Sequence, residues 1–261
     1  MHNYLKSLIK NKESEVAALY KKKQQTSFLK DAHYRGNKSL QKQIRGQGSV
    51  IAEIKRKSPS KSTIGHIPDP TFLAKQYMEG GAAAISVLTD AYGFGGSIED
   101  LRRVARLLEK TSCPLLRKDF MIDPIQIGES IIAGADVVLL IVAVLGDKTK
   151  QMLAAATAAG IEAIVEVHDV TECQYAVSIG AQIIGVNNRN LTTFEVVPTC
   201  ALNLIQHIPK EIIKIAESGM QSPKDVARYL EAGYDAVLVG EALVQSADPV
   251  GFIKSCLKRF P

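Results

Sequence analysis

From Val50 onward the chain alternates short β-rich runs with longer helical patterns about eight times, and this repetition restricts the fold more than any other feature. Strands are expected at Val50–Lys55, Ala83–Leu88, Pro114–Lys118, Val137–Ile141, Ile161–Val167, Ile183–Asn187, Ile212–Ala216 and Ala236–Val239. Helices fall between them, for example Ile98–Lys110, Thr149–Ala159 and Pro223–Ala232. Small-residue turns such as Gly80-Gly81, Gly134-Ala135 and Gly180-Ala181 precede strands, where a helix must stop and the chain reverse. The apolar run Val137 to Val142 suits a strand covered on both faces, as a parallel sheet requires. About eight such units close into a barrel more readily than they spread into an open doubly wound sheet. The length of 261 residues fits the roughly 250 of an α/β barrel and leaves no room for a second catalytic domain. The expected fold is α/β, a (βα)8 TIM barrel with an extra N-terminal helical segment. No GxGxxG opens the first unit, so dinucleotide binding has little support.

Residues Tyr4 to about Gln24 place Leu5, Leu8, Ile9, Val16 and Leu19 at helical spacing, with Lys and Glu between them. The stretch from Arg35 to Gly48 is polar and holds Gly36, Gly46 and Gly48, which favour a loop or short helical turns. Residues 1–48 are thus expected to form a helical extension packed on the barrel of residues 49–261, one structural domain overall. Residues 1–45 carry eleven Lys or Arg against three Asp or Glu, a net +8, while the rest of the chain is −3. The cations are interleaved with a helical apolar pattern and lack an aromatic stacking series, so they read as a solvated helical face rather than a nucleic-acid surface. No stretch approaches the roughly 20 apolar residues that cross a bilayer, and the expected location is the cytoplasm. Cys113, Cys173, Cys200 and Cys256 have no metal-ligand spacing, nor do His2, His33, His66 and His207, so no metal centre is expected.

Residues two apart on a strand share a face, so Glu53 and Lys55 lie with Ile51, opposite Ala52 and Ile54. If the apolar pair meets the helices, both charges enter the barrel near the C-terminal strand end, where barrel active sites form. Burying them is costly unless they pair or serve chemistry; the alternative is a structural Glu–Lys pair. The pattern recurs where Leu116 leads to Lys118, Ile164 to Glu166, Gly185 to Asn187 and Ile215 to Glu217. Several polar strand ends on one rim form a constellation rather than tolerated termini. Lys118, in a partly desolvated mouth flanked by other cations, is expected to have a depressed pKa and to exchange protons near neutrality, with Arg117 pointing outward. Schiff-base chemistry remains open to such a lysine. Glu166 is its matching carboxyl group. His168 is expected on the opposite side of the strand, in a structural role. Glu217-Ser218-Gly219 after the seventh strand and Gly240-Glu241 after the eighth mark a phosphate cradle, because glycine lets backbone N–H groups approach phosphate oxygens. Ser58, after the first strand, is placed to close it.

These residues resemble the indole-3-glycerol-phosphate synthase family of tryptophan biosynthesis. The blocks that carry the resemblance are IAEIKRKSPSK (51–61), AAAISVLTD (82–90), PLLRKDF (114–120), ADVVLLIVAVL (135–145), VEVHD (165–169), IIGVNNRNLTTFEV (183–196), AESG (216–219) and DAVLVGEAL (235–243). The resemblance implies a carboxy-lyase without a cofactor. It would close the ring of 1-(2-carboxyphenylamino)-1-deoxyribulose 5-phosphate, with decarboxylation and dehydration, to give indole-3-glycerol phosphate, carbon dioxide and water. It implies that Lys118 is the general acid on the ketone oxygen, and that Glu53, Glu166 and Lys55 handle proton transfer and orientation. Asn187, Arg189 and Glu217 would contact the substrate, and Pro59 and Phe120 would line an apolar pocket for its ring. Ser58, Ser218, Gly219, Gly240 and the Glu241 backbone would bind phosphate. The expected partner is the small phosphorylated substrate, and the expected form a monomer, compatible with weak association with other enzymes of the pathway.

Two positions depart from the family pattern. In TDAYGFGGS, Gly93 replaces one of a usual aromatic pair and Phe94 keeps the other, so a thinner aromatic wall is expected. Ser62 stands where glycine is common, and its loop is expected to close differently. Another phosphate-binding barrel enzyme, such as phosphoribosylanthranilate isomerase, would share the late glycines but not Glu53, Lys55, Lys118 and Glu166 in these blocks. A non-catalytic barrel would lack the rim acids and bases.

Overall fold

The computed structural model describes residues 3–23, 32–34, 36–59, 61–191 and 193–258. Helices α1 (Asn3–Lys23) and α2 (Leu40–Ile44) precede strand β1 (Ser49–Ile54). There follow α3 (Pro70–Gly80), β2 (Ala84–Leu88), α4 (Ala91–Phe94), α5 (Ile98–Leu108), β3 (Leu115–Lys118), α6 (Ile125–Ile132) and β4 (Val137–Ile141). The chain continues with α7 (Val142–Leu145), α8 (Lys148–Ala159), β5 (Glu162–Val167), α9 (Val170–Ser178), β6 (Ile183–Asn187) and α10 (Thr199–Leu204). It ends with β7 (Ile213–Glu217), α11 (Pro223–Glu231), β8 (Ala236–Val239), α12 (Glu241–Gln245) and α13 (Pro249–Leu257). Among the described residues the eight strands are parallel, pair in sequence order and close into a barrel, β1 meeting β8.

Strand alternation sorts the side chains into two apolar layers. Val50, Ala52 and Ile54 of β1 pack outward with Val165 and Val167 of β5 and the inner faces of the helices. Ile51, Leu139, Ile141, Ile164, Ile213 and Ile215 fill the barrel interior instead. Glu53, Glu166 and Glu217 lie on that interior face one step nearer the C-terminal rim, and each is buried. Strand and helix bounds lie within two residues of expectation. β1 stops at Ile54 before Lys55, β7 runs on through Glu217, and α5 ends at Leu108. Helix starts are set by side-chain caps, such as Ser97 on Asp100 N–H and the reciprocal Ser222–Asp225 box of α11.

Described parts of the N-terminal segment pack at both ends of the barrel. Leu5 and Leu8 of α1 are buried at the C-terminal mouth, and the Tyr4 ring meets the Phe194 ring edge-on at 5.3 Å. Tyr34 then binds the far end, donating its N–H to Ala159 O (2.8 Å) and its hydroxyl to Asp136 Oδ1 (2.7 Å). The first turn of α2 donates Leu40 and Gln41 N–H to the Glu162 carboxylate at the start of β5. Leu40 and Ile44 are fully buried and pack with Ile183, Ile213 and Ala236 as a plug under the interior. Burial of two such side chains contributes roughly 1.5–3 kcal/mol each. The expected end of α1 near Gln24 lies outside the described residues. One cation of α1 departs from the expected solvated face: Lys12 is fully buried.

Candidate active site

The C-terminal ends of the strands surround one deep cavity of about 980 Å3, its open mouth included. Every residue that the sequence proposed for chemistry or binding lines it: Glu53, Lys55, Ser58, Pro59, Lys118, Phe120, Glu166, Asn187, Arg189, Glu217, Ser218, Gly219, Gly240 and Glu241. The interior apolar side chains Leu139, Ile141 and Leu238 form its floor, so charges at the rim sit on a low-dielectric base.

Lys118 Nζ lies 2.9 Å from Glu166 Oε2 and 2.9 Å from Glu217 Oε2. Burial by itself would lower the lysine pKa, but the charges of Glu166, Glu217 and Glu53 outweigh it and hold the pKa well above the ordinary lysine value. This corrects the expectation of a depressed Lys118 flanked by cations. Its neighbours are carboxylates, so in the free enzyme it is a stored proton rather than a free base.

The two glutamates around it differ. Burial pushes Glu166 up, but Lys118 and then His168 pull it far below the usual carboxylate range. Asn187 Nδ2 adds a hydrogen bond to Glu166 Oε1 at 3.1 Å. For Glu217, burial and the neighbouring Glu166 charge prevail over Lys118, so its pKa is raised. Neither Glu217 oxygen has a well-aligned hydrogen bond, although the ammonium is at ion-pair distance. One site therefore holds a carboxylate that stays ionised and a carboxyl group disposed to protonate, the separation on which acid and base roles depend.

Glu53 Oε1 pairs with Lys55 Nζ at 2.7 Å. A Cβ on Gly240 would collide with this carboxylate, and one on Gly185 would collide with Glu217 Oε1, so two missing side chains make room for two acids. Ser218 is held at φ 67° and is followed by Gly219 at φ 91°. The left-handed serine costs on the order of 1 kcal/mol or more, a strain characteristic of functional turns. The β1 loop folds back where Ser58 and Lys61 exchange backbone hydrogen bonds at 2.9 and 3.0 Å, and the Lys61 ammonium pairs with Glu241 beyond β8. Arg189 is anchored by its N–H on Asn187 Oδ1 (2.9 Å) and by its guanidinium on Phe194 O (2.9 Å).

Gly93 leaves no hole. Leu8 of α1 occupies its place, 2.7 Å from where a Cβ would stand, while Phe94 lines the cavity with its ring centroid 6.1 Å from that of Phe120. Ser62 is exposed and does not line the cavity. The expectation for His168 is corrected: its Nε2 lies 3.3 Å from Glu166 Oε1. His168 is two residues beyond Glu166, and period-two alternation places such residues on the same side, not opposite ones. Arg117 does point away from the barrel interior, but into a buried network with Asp119 (3.0 Å) and Glu129 (2.8 Å).

Sequence reading missed Leu5, Leu191 and Phe194 in the lining, and the charged group behind it. Lys12 Nζ reaches Asp119 Oδ1 at 2.7 Å and Asp90 Oδ1 at 3.3 Å. Asp119 Oδ2 accepts from Thr89 Oγ1 at 2.6 Å. Burial would raise the Asp119 pKa, but Arg117 and Lys12 hold it down to about 2. The signal for Lys12 was present in the spacing, since it continues the stripe of Leu5 and Leu8 that faces the barrel. Among the described residues no group of three or more His, Cys, Asp or Glu side chains is arranged to hold a metal ion, and no helix is long and apolar enough to cross a membrane.

A closed parallel barrel whose strand ends gather ammonium groups, three carboxyl groups and a glycine-containing turn in one pocket has the make-up of a barrel enzyme with an acid–base site. Solved structures share the fold at low identity. Thiamine phosphate pyrophosphorylase from Pyrococcus furiosus superposes with a TM-score of 0.61 at 16% identity, covering 82% of this chain and 96% of its own. The 3-hexulose-6-phosphate synthase of Salmonella typhimurium gives 0.61 at 16%, covering 80% and 97%. The sequence is more telling. A profile of the indole-3-glycerol phosphate synthase family matches residues 5–256. The indole-3-glycerol phosphate synthase of a Nocardioides species is 49% identical over 207 residues, 79% of this chain and 78% of the relative. That of Kineococcus radiotolerans is 50% identical over 201 residues, 77% and 72%. The chain belongs to the indole-3-glycerol phosphate synthase family.

Proposed function

We propose that this enzyme converts 1-(2-carboxyphenylamino)-1-deoxyribulose 5-phosphate to indole-3-glycerol phosphate, carbon dioxide and water, as a carboxy-lyase of tryptophan biosynthesis in the cytoplasm. The observation that carries this reading is the Lys118 ammonium, placed between Glu166 and Glu217 on an apolar floor in a chain of this family. Ketone protonation by Lys118 makes the carbonyl carbon electrophilic, and the ring carbon bearing the carboxylate attacks it. Loss of that carboxylate as carbon dioxide restores aromaticity. The new hydroxyl then leaves as water while the methylene carbon beside nitrogen loses a proton. The leaving oxygen takes two protons and one is returned, so each turnover of the ionised carboxylate takes up one proton.

The remaining roles follow from the chemistry of each group. Glu166 and Glu53 are carboxylates suited to receive the methylene proton. Glu217, disposed to protonate, suits hydrogen bonding to the substrate. Lys55 and Arg189 are cations suited to the carboxylate, Asn187 suits a hydroxyl, and Phe120 and Pro59 suit the aromatic ring. The phosphate falls to Ser58, Ser218, Gly219, Gly240 and the Glu241 backbone, across the cavity from Lys118. No cofactor enters the scheme, and a monomer suffices because the acids and bases come from one chain.

Purified protein given this substrate is expected to generate indole fluorescence at micromolar concentrations, with inorganic phosphate competing against substrate. Well-folded protein that gives no indole product would overturn the reading.

A further inference from the structure

His168 has no step in the scheme above, yet its ring is fixed between two carboxylates. Nδ1 lies 3.0 Å from Glu172 Oε2, and the same oxygen accepts the His168 backbone N–H at 2.8 Å. Glu172 is itself set in the first turn of α9, where its N–H is capped by Asp169 Oδ1 at 2.8 Å. Nε2 faces Glu166 Oε1 at 3.3 Å. An imidazole whose two nitrogens both face carboxylates meets them best by donating from both, that is, as the imidazolium. Burial opposes that charge, but Glu166, at ion-pair distance from Nε2 without a well-aligned hydrogen bond, and the hydrogen-bonded Glu172 overcome it and push the His168 pKa up to about 9. Glu166 comes from β5 and Glu172 and Asp169 from the start of α9, while Lys118 acts on the other Glu166 oxygen, Oε2, and Asn187 Nδ2 shares Oε1 with the ring. Cys200 contributes a thiol contact to the His168 carbonyl, not to the ring.

We propose that His168 is a positioning residue, an imidazolium braced by Glu172 that holds Glu166 ionised and aimed at Lys118. The inference rests on the reading of Glu166 as a proton-transfer group. The clamp leaves a division of labour: Glu166 starts each turnover as a proton acceptor, Lys118 starts it as the donor, and Glu217 is the carboxyl free to change state. Without the imidazolium, two buried glutamates would compete for one ammonium, and Glu166 would take up a proton at higher pH.

His168→Gln keeps a hydrogen-bond donor and removes the charge. It is expected to lower kcat about 10- to 100-fold with KM within about twofold, and to raise the acid limb of the kcat/KM profile by about one pH unit. Glu172→Gln, which leaves the ring in place, is expected to shift the same limb in the same direction by less. An unshifted limb in His168→Gln, whatever the fall in kcat, would overturn the proposal, because loss of packing alone lowers activity without moving it. Should His168→Gln not fold, an unshifted limb in Glu172→Gln has the same force. A titration of the Glu166 carboxyl carbon by NMR needs no turnover and is expected to show a higher pKa in either variant. That result with no indole product from the wild type would sink the proposed reaction and leave the clamp standing, whereas an unchanged Glu166 titration would sink the clamp alone.

Discussion

Lys118→Met is expected to lower turnover on the order of a thousandfold or more while the protein still binds inorganic phosphate. Methionine matches the aliphatic stem of lysine but has no proton to give, so the ketone oxygen must develop its charge unaided in a water-poor pocket. The same change leaves Glu166 and Glu217 facing each other without their shared ammonium, and one of them takes up a proton in response. Their acid–base separation therefore collapses together with the donor. Phosphate binding is expected to survive, because Ser218, Gly219 and Gly240 come from other loops. Stopped assays of indole product, with phosphate competition and a thermal melt as controls for folding, measure each part. Retention of a tenth of wild-type turnover would remove Lys118 from the role of general acid.

Lys12→Met is expected to destabilise the fold by about 3–5 kcal/mol, the usual effect of stripping one partner from a buried charge group. Its ammonium side chain is 0% exposed and pairs with Asp119 and Asp90, which would be left buried without it. Asp119 also pairs with Arg117 and sits between Lys118 and Phe120 in the cavity wall, so fraying of α1 is expected to disturb the site as well. The folded-state pKa of Asp119 is depressed to about 2. Its contribution is therefore fully present above the unfolded value of about 3.9 and is lost as pH falls through about 2. Urea denaturation at neutral pH is expected to show the full gap between wild type and variant, and the gap is expected to narrow below about pH 4. A variant as stable as wild type at neutral pH would mean that α1 docks through its apolar residues alone.

Much of the site was legible because alternation on a strand is a rigid rule. Once Val50–Lys55 is recognised as a strand with Ala52 and Ile54 against the helices, Glu53 has nowhere to go but the interior, and the same reasoning reaches Lys118, Glu166 and Glu217. His168 shows the rule misapplied rather than failing. Electrostatics were less legible, since Lys118 is adjacent to Arg117 in sequence but lies between the Glu166 and Glu217 carboxyl groups in space. The sign of its pKa shift depends on which neighbours lie across the barrel, and linear order does not give that. Lys12 was obscured for a related reason. Eleven cations in the first 45 residues suggest a solvated face, and only its place on the apolar stripe sets this one apart. Gly93 was readable as a loss of an aromatic ring but not as a socket for Leu8, because that contact joins α4 to a helix some 85 positions earlier.

In the proposed reaction, ring closure at the carbon bearing the carboxylate is what expels it, and substrate labelled with carbon-13 at that carboxyl group tests this most directly. The wild type is expected to give labelled carbon dioxide and indole-3-glycerol phosphate in equal amounts, with neither formed at a comparable rate by Lys118→Met. Indole product that retains the label, or labelled carbon dioxide released without indole product, would contradict it.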